Sequence, residues 1–375
     1  MSFDTASNDA HVAASDDAFD SPSLAILGWD ASRVAELASL SSACGVELTP
    51  ARVARVDRGA LTVLTGSVPM RVRPSGRLFD FDANGAGEPV GTPAVGDWVA
   101  LDGTVAVAVL TRRSTFERSS SDRATVAQVV AANVDAVFVV VPLVGRSRPR
   151  LLQRCLAMAW QSGATPVVLL TKADIATDVA ERVAAAQADA PSADVFPVSA
   201  ATGEGLDSLV DYLIPGRTIA MIGPSGAGKS TLTNALGAGT FALRTGGLRD
   251  DGKGRHTTTA RELVVLPSGA VAIDTPGLRG LALWDAEEGI GVAFADIVEF
   301  AADCRFADCA HHGEPGCAIG RAIAEGDLDV ERFADYEKLL REQRRLETRR
   351  DGRARALEHA RAKVFYKAVK RQPHR

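Results

Sequence analysis

Residues 217–231 decide the fold, and they read Arg-Thr-Ile-Ala-Met-Ile-Gly-Pro-Ser-Gly-Ala-Gly-Lys-Ser-Thr. An apolar run leads into the pattern GxxxxGK[ST], which predicts a strand, a phosphate-binding loop and a helix. The glycines let backbone N–H groups turn inward around phosphate oxygens, and the helix N-terminus adds partial positive charge. Lys229 is expected to pair with the β- and γ-phosphates of a nucleotide, and Ser230 to ligate Mg²⁺. The predicted contact residues are Gly223, Pro224, Ser225, Gly226, Ala227, Gly228, Lys229, Ser230 and Thr231.

A second phosphate motif follows downstream, where residues 271–277 read Val-Ala-Ile-Asp-Thr-Pro-Gly. This is an apolar strand ending in DxxG. Asp274 is expected to hold Mg²⁺ through water, and the Gly277 N–H to meet the γ-phosphate. DTPG alone is weak evidence, but after a phosphate loop it is strong.

A base-reading motif lies upstream of both, at Thr171, Lys172, Ala173 and Asp174, with Ser199 and Ala200 behind it. Asp174 can accept hydrogen bonds from the N1–H and exocyclic amine of guanine, a contact that adenine cannot reproduce. The aliphatic stem of Lys172 would cover the base, and the Ser199-Ala200 loop would offer backbone N–H to the guanine oxygen. The alternative for residues 172–174, a solvated turn, is disfavoured by the Ser-Ala loop at the next strand end.

The order of these motifs is inverted relative to an ordinary GTPase, which indicates circular permutation. Domain termini often lie close together, so they can be joined without disturbing the pocket. Here the Pro215-Gly216 turn would make that join. The permuted domain then ends just after DxxG.

Alternating apolar strands and helices predict an α/β fold with a parallel sheet covered on both faces. Strands are expected at 136–141, 166–170, 195–198, 218–222, 263–266 and 271–273, and helices at 150–162, 178–188 and 206–213. Between Ala51 and Phe116, five short strands separated by Gly, Pro and Asp predict a small barrel of the oligonucleotide-binding (OB) kind, although an SH3-like barrel fits the pattern equally well.

Four regions follow from these patterns. Residues 1–45 are expected to form an acidic, largely disordered leader with a short helix in Leu27–Leu40, capped by Asp30. Residues 46–118 form the OB-like β-barrel, 119–285 the circularly permuted GTPase domain, and 286–375 a zinc-binding and basic helical domain.

Three of the five cysteines lie within residues 304–317, in the arrangement C-x₄-C-x-H-x₅-C. Cys304, Cys309, His311 and Cys317 suit one tetrahedral, structural Zn²⁺ with no open position for chemistry. His312 is the local rival to His311, and three reduced cysteines without metal are the alternative. Cys44 and Cys155 are interpreted as buried apolar residues.

The net charge of −5 argues against a generally basic nucleic-acid binder. The segment from Lys338 onward is nevertheless strongly basic, which favours contact with an RNA backbone over a merely solvated helix face. Arginines in and after the barrel suggest a second RNA surface: Arg71, Arg73, Arg77, Arg112, Arg113 and Arg118. No apolar run is long enough for a membrane span, and no secretory signal is evident, so a cytoplasmic monomer without membrane contact is expected.

Together these motifs resemble the circularly permuted GTPases of the ribosome small-subunit-dependent GTPase A family. The resemblance covers nearly everything from Ala51 onward and is carried by 96–99, 133–135, 171–174, 223–231, 254–259, 274–277 and the cysteine cluster. It implies an OB barrel, a permuted GTPase domain and a zinc domain. It also implies that the protein hydrolyses GTP, that the small ribosomal subunit stimulates this hydrolysis, and that the activity is used late in the maturation of that subunit. The protein is expected to contact the rRNA of the subunit.

Two positions complete the predicted chemistry. One of Thr257, Thr258 and Thr259 should close over Mg²⁺, and the resemblance favours Thr258. Leu278 stands where Ras-like enzymes carry the glutamine that orients water, so His256 is our candidate for that role; an exposed or rRNA-contacting histidine is the alternative. Thr171 replaces the family's usual Asn and is expected to reach less far, weakening guanine preference.

Three functions are weighed on this basis. The first is a ribosome-assembly GTPase, which predicts a large rise in turnover with small subunits. The second is a stand-alone regulatory GTPase, which predicts none. The third is a zinc and RNA-binding module with a regulatory nucleotide site, which predicts binding without hydrolysis.

Overall fold

The computed structural model describes residues 22–66, 69–79, 91–119, 127–145, 149–237, 262–274 and 287–345. The predictions for the acidic residues 1–21 and for the basic residues beyond 345 lie outside these ranges.

Two helices open the described chain, α1 (Pro22–Ile26) and α2 (Ala31–Cys44). The predicted cap is confirmed, because the Asp30 carboxylate accepts from the N–H groups of Ser32 and Arg33. These helices do not behave as a leader. Trp29, between them, packs against Trp98 of the barrel with the two tilted rings 4.7 Å apart, and the side chain of Leu37 is buried. Apolar side chains of the predicted leader therefore belong to the core.

The predicted barrel is present and closed, with strand order β1-β2-β3-β5-β4 and a β1–β4 pairing. Its only parallel pairing among the described strands joins β3 to β5, a Greek-key arrangement of the OB kind. Alternate residues such as Val53, Val63 and Val72 fill the interior. The strands are β1 (Thr49–Asp57), β2 (Ala60–Leu64), β3 (Pro69–Pro74), β4 (Trp98–Asp102) and β5 (Val105–Val109), with a 3₁₀ turn at Gly76–Phe79.

An antiparallel hairpin that the sequence did not predict connects barrel and GTPase domain. It pairs β6 (Thr115–Ser119) with β7 (Ala127–Ala132). Gly96 packs directly against it: a Cβ there would lie 2.2 Å from the carbonyl oxygen of Ala132. The boundary that we predicted at 118/119 falls at the end of β6.

The central sheet has six strands in the order β10-β9-β8-β11-β13-β12. Its inner strands are almost wholly apolar and buried on both faces, as a covered parallel sheet requires. The strands are β8 (Ala136–Pro142), β9 (Thr165–Thr171), β10 (Asp194–Val198), β11 (Thr218–Ile222), β12 (Glu262–Val265) and β13 (Val271–Asp274). The helices are α3 (Pro149–Gln161), α4 (Val179–Asp189) and α5 (Lys229–Leu236), and Leu206–Tyr212 is 3₁₀.

One strand departs from the predicted parallel sheet. β12 pairs antiparallel with β13 at the sheet edge. Only the short turn at 266–270 separates these strands, whereas a parallel crossover needs a dozen or more residues. The connection length makes this edge a hairpin.

The C-terminal unit contains α6 (Glu287–Ala293), α7 (Ala295–Ala302), α8 (Ala318–Glu325) and α9, residues 330–345. Helix α6 packs closely on α3, since a Cβ on Gly289 would lie 2.1 Å from the Ala157 oxygen. Arg332 of α9 is buried and pairs with Asp296 at 2.7 Å while donating to the Asp189 carbonyl. Within the described ranges, none of the helices has the length and apolar character to cross a bilayer.

Candidate nucleotide site and metal centre

The carboxyl ends of β9, β10 and β11 meet at one edge of the sheet, because these strands run parallel around β8. Thr171 lies in register with Val198 on one side and with Pro142 on the other. The base-reading and phosphate-binding segments, separated and inverted in sequence, therefore share one edge. Open α/β sheets bind their ligands at this edge.

The phosphate loop has the conformation that its glycines allow. Gly223 has a φ of 142°, and a Cβ there would lie 2.2 Å from the Val140 oxygen. Gly226 and Gly228 also have positive φ, and α5 begins at Lys229. The Lys229 ammonium donates to the carbonyls of Gly223 (2.8 Å) and Pro224 (2.7 Å). The ammonium thus lies across the loop formed by residues 223–228.

Thr171 links the base motif to the phosphate loop. Its buried hydroxyl donates to the carbonyl oxygen of Ala227 at 2.6 Å. We expected threonine to reach less far than asparagine, yet this hydroxyl does reach the loop. No sequence pattern signals the bond, because it depends on β9 and β11 being two strands apart around β8.

The residues that we predicted to read the base lie on two ordered turns. Lys172 has a left-handed φ of 65°, and Asp174 is exposed on the following 3₁₀ turn. The Ser199 hydroxyl accepts from the N–H groups of Ala201 and Thr202 at 3.2 Å, which fixes the loop that carries Ala200. A carboxylate open to solvent beside a fixed backbone loop suits recognition of a purine edge.

Asp274 is the last residue of β13, which pairs with β11, so its backbone lies one strand away from the phosphate-loop strand. Ser230, the other magnesium candidate within the described ranges, is exposed at the second position of α5. The remaining residues that we assigned to the switch segments and to catalysis, and the neighbouring Leu278, lie outside those ranges: His256, Thr257, Thr258, Thr259 and Gly277.

The four predicted zinc ligands come together, with their ligand atoms all within 4.8 Å of one another. The His311 Nδ1 lies 3.5 Å from the Cys304 sulfur and 3.6 Å from the Cys317 sulfur. Zn–S and Zn–N bonds of ordinary length at tetrahedral angles put such atoms about 3.6 Å apart. The cluster therefore has the size and donor set of a closed zinc site.

Backbone donors stabilise the cluster. The N–H groups of Ala318 and Gly320 point at the sulfurs of Cys304 and Cys317, each at 3.3 Å. Burial raises the pKa of the Cys304 thiol, but N–H donors outweigh it and lower that pKa overall, favouring the thiolate that a metal needs. His312 points away, with its side chain 69% exposed, so His311 is the histidine of the cluster.

Of the remaining cysteines, only one matches expectation. Cys155 is buried, and that burial raises the pKa of its thiol to about 11. Cys44 is exposed at the end of α2, so our interpretation of it as buried was wrong.

Four of the six arginines that we assigned to an RNA surface of the barrel have described side chains, whereas the side chains of Arg77 and Arg118 lie outside the described part of the chain. Arg71 and Arg73 are exposed on β3, alternating with buried Val72. Arg112 instead makes a bidentate pair with the fully buried Asp97, so it serves the interior. Arg113 pairs with Asp30 at 2.6 Å. On α9 the cations Lys338, Arg341 and Arg345 are exposed, opposite the buried Leu339.

Comparison with known proteins agrees with this architecture. The RsgA GTPase family model matches residues 109–284. "Small ribosomal subunit biogenesis GTPase RsgA" of Streptomyces coelicolor is 44% identical over 341 residues, covering 89% of this chain and 90% of that protein. The Streptomyces avermitilis protein of the same name is 45% identical over 338 residues, covering 88% of each.

Two solved structures share the fold. One is described as YjeQ from Thermotoga maritima, with a TM-score of 0.56 and 25% identity; the match covers 79% of this chain and 98% of that one. The other is YloQ, described as a circularly permuted GTPase, with a TM-score of 0.56, 24% identity and coverage of 80% and 96%. The permuted order deduced from the motifs thus agrees with the circular permutation described for YloQ.

Proposed function

This chain belongs to the RsgA GTPase family and is a GTPase of small ribosomal subunit biogenesis; we propose that its hydrolysis of GTP is stimulated by the small subunit, which it contacts through rRNA. The relatives' names supply the process. The stimulation, the contact surfaces and the residue roles are our inference from the chain itself.

The observation that carries the proposal is the bond from the Thr171 hydroxyl to the Ala227 carbonyl. It joins the segment assigned to the base to the loop assigned to the phosphates. A single nucleotide can therefore extend from Asp174 to Lys229 along one edge of the sheet.

Guanine recognition would rest on three groups. Asp174 accepts from N1–H and the exocyclic amine, the Lys172 stem covers one face of the base, and the Ala200 N–H donates to the guanine oxygen. A protein that hydrogen-bonds both polar edges of a base rejects analogues that leave those groups unpaired.

Phosphate binding would use the loop N–H groups, the N-terminus of α5 and Lys229. Ser230, Asp274 and Thr258 would hold Mg²⁺, which supplies charge neutralisation at the phosphates when bound. His256 would orient the attacking water, because the leucine at 278 cannot. We expect slow intrinsic turnover until the small subunit orders the catalytic groups.

One Zn²⁺ on Cys304, Cys309, His311 and Cys317 would act structurally, since its four ligands leave no position for water. It would hold the loop between α7 and α8 against α9. Contacts with rRNA would come from Arg71 and Arg73 on the barrel and from the basic segment beginning at Lys338. We expect the protein to act as a monomer in the cytoplasm, where ribosomal subunits are assembled.

Turnover of GTP and ATP, each measured with and without purified small subunits, tests the proposal. It predicts slow hydrolysis of GTP alone, a rise of an order of magnitude or more with subunits, and no comparable activity on ATP. Equal rates of GTP hydrolysis with and without subunits would contradict stimulation by the small subunit. Equal rates with ATP and GTP would contradict the recognition of guanine by Asp174.

A further inference from the structure

The segment 94–98, where barrel strand β4 begins, packs against the sheet strand that ends in Asp274. The Cδ1 of Ile273 lies so close to Gly96 that a Cβ built on this glycine would be 2.9 Å from it. Gly96 has a φ of 90°, in the left-handed region that favours glycine. Ile273 is buried and shares a core with Trp98. The barrel therefore supports the residue that directly precedes Asp274.

Buried hydrogen bonds hold Gly96 in this position. Its carbonyl oxygen accepts from the Arg52 Nε at 3.2 Å and from the Asn133 Nδ2 at 3.1 Å. The next residue, Asp97, is fully buried, and its carboxylate makes a bidentate pair with Arg112 at 2.7 and 2.8 Å. Any movement of this segment would leave buried polar groups unpaired, which is costly. Gly96 is therefore a rigid support.

The end of β13 has few other supports. Its pairing with β11 stops at Ile273, which lies opposite Ala220. Among the described strands, Asp274 is paired only with Glu262 of β12, and β12 is the edge strand of the sheet. Strand β12 itself lies beside barrel strand β1. The barrel thus supports the end of β13 directly, through Gly96, and indirectly, through β12.

We propose that Gly96 and Ile273 are positioning residues, through whose contact the barrel determines where Asp274 lies relative to the phosphate loop. The inference rests on the proposed assignment of Asp274 to the Mg²⁺ side of the GTP site. A shift of the last residues of β13 would move a carboxylate that holds Mg²⁺ through water. The phosphate loop follows β11 and does not touch this contact, so nucleotide binding without metal should not depend on it.

Ile273→Val tests the contact, because it deletes the Cδ1 that faces Gly96. The readout is binding: the affinity of the full chain for a fluorescent, non-hydrolysable GTP analogue in excess Mg²⁺, divided by its affinity in EDTA. Ile273→Val should lower this Mg²⁺ enhancement by about fivefold, less than the roughly 10²-fold that a misplacement of about 1 Å can cost. The affinity in EDTA should stay within about twofold of the parent value, as for sites that do not interact.

Ile219→Val is the matched control. Ile219 is fully buried, pairs with Ala272 and belongs to the core on the other face of the sheet. Both variants remove the same methyl group from a buried isoleucine, so a purely structural role would affect both alike. Only Ile273→Val should lower the Mg²⁺ enhancement. Equal changes in the two variants, or no change in Ile273→Val, would overturn the proposal.

Asp274→Ala distinguishes this inference from the proposed function. Alone, it should lower the Mg²⁺ enhancement by more than Ile273→Val does. The double variant should lose no more than Asp274→Ala, because Ile273 is proposed to act through Asp274. A further loss in the double variant would overturn the positioning role and leave the magnesium assignment intact. An unchanged enhancement in Asp274→Ala would contradict the magnesium assignment itself, and the positioning role with it.

Discussion

The zinc cluster and the nucleotide pocket are built in different ways. All four proposed zinc ligands come from one loop, residues 304–317, and backbone donors just beyond that loop point at two of the sulfurs. The nucleotide groups come from three loops that only the parallel sheet brings to one edge. A site whose residues all come from one loop can be predicted from the spacing of those residues in the sequence. A site whose residues come from several strand ends can be predicted only when the strand order is known.

Removing the metal should produce the largest effect that separates the two sites. Cys309→Ser should reduce zinc from one ion per chain to none and unfold the loop, since structural zinc contributes on the order of 10 kcal/mol in small zinc modules. GTP affinity should change by less than about threefold, because no zinc ligand belongs to the nucleotide edge. Metal analysis and nucleotide titration measure the two results.

His312→Ala is the matched control for that variant. His312 is the neighbouring histidine but is exposed and outside the cluster, so zinc content should stay at one. Loss of zinc in His312→Ala would mean that His312, and not His311, binds the metal. Loss of GTP binding in Cys309→Ser would mean that the zinc site and the nucleotide site depend on each other.

Asp174→Asn should give the next largest effect, confined to the nucleotide pocket. Losing two charge-assisted hydrogen bonds to guanine should weaken GTP binding by about 10³-fold. Xanthine carries a carbonyl where guanine carries its amine, so the amide should restore binding of xanthosine triphosphate. Competition between GTP and xanthosine triphosphate measures this change in nucleotide preference. Unchanged GTP affinity would mean that Asp174 does not contact the base.

His256→Ala should lower subunit-stimulated turnover by about 10²-fold, the contribution of one positioned acid–base or water-orienting group. GTP affinity should stay the same, because the imidazole is assigned to the water and not to the nucleotide. Steady-state rates with purified subunits test it, and Lys253→Ala in the same segment serves as a control for loss of charge there. Full stimulation of His256→Ala would assign the role to another residue.

Thr171→Val should give the smallest effect, but it tests most directly the hydrogen bond that links the two loops. It removes the hydroxyl that bonds to Ala227 and keeps the shape of the side chain. One neutral hydrogen bond contributes about 1 kcal/mol, so GTP affinity should fall about fivefold. Thr171→Ser keeps the hydroxyl and should stay near the parent value. Equal losses in both variants would mean that packing, and not the bond, joins the two loops.

Much of the fold could be predicted from the sequence because its signals are local. The five barrel strands, the sheet strands and the Asp30 cap each follow from a short pattern, and the structure confirms them. The antiparallel β12 could have been predicted too, since the turn at 266–270 is too short for a crossover.

Other features could not be predicted because they depend on distant partners. Arg52 stands in a strand where an outward, solvated arginine would be the ordinary expectation, yet it is 1% exposed and donates to three separate parts of the chain. Likewise, Arg112 belongs to the interior because Asp97 is buried beside it. The pattern of charges in the sequence does not distinguish such buried, paired arginines from exposed arginines that could bind RNA.

The central claim is that Asp174 and Lys229 serve the two ends of one nucleotide. A crystal structure of the chain with Mg²⁺ and a non-hydrolysable GTP analogue tests it most directly. The account predicts guanine within hydrogen-bonding distance of the Asp174 carboxylate while the phosphates contact the Lys229 ammonium. Phosphates on the loop with the purine directed elsewhere would contradict it.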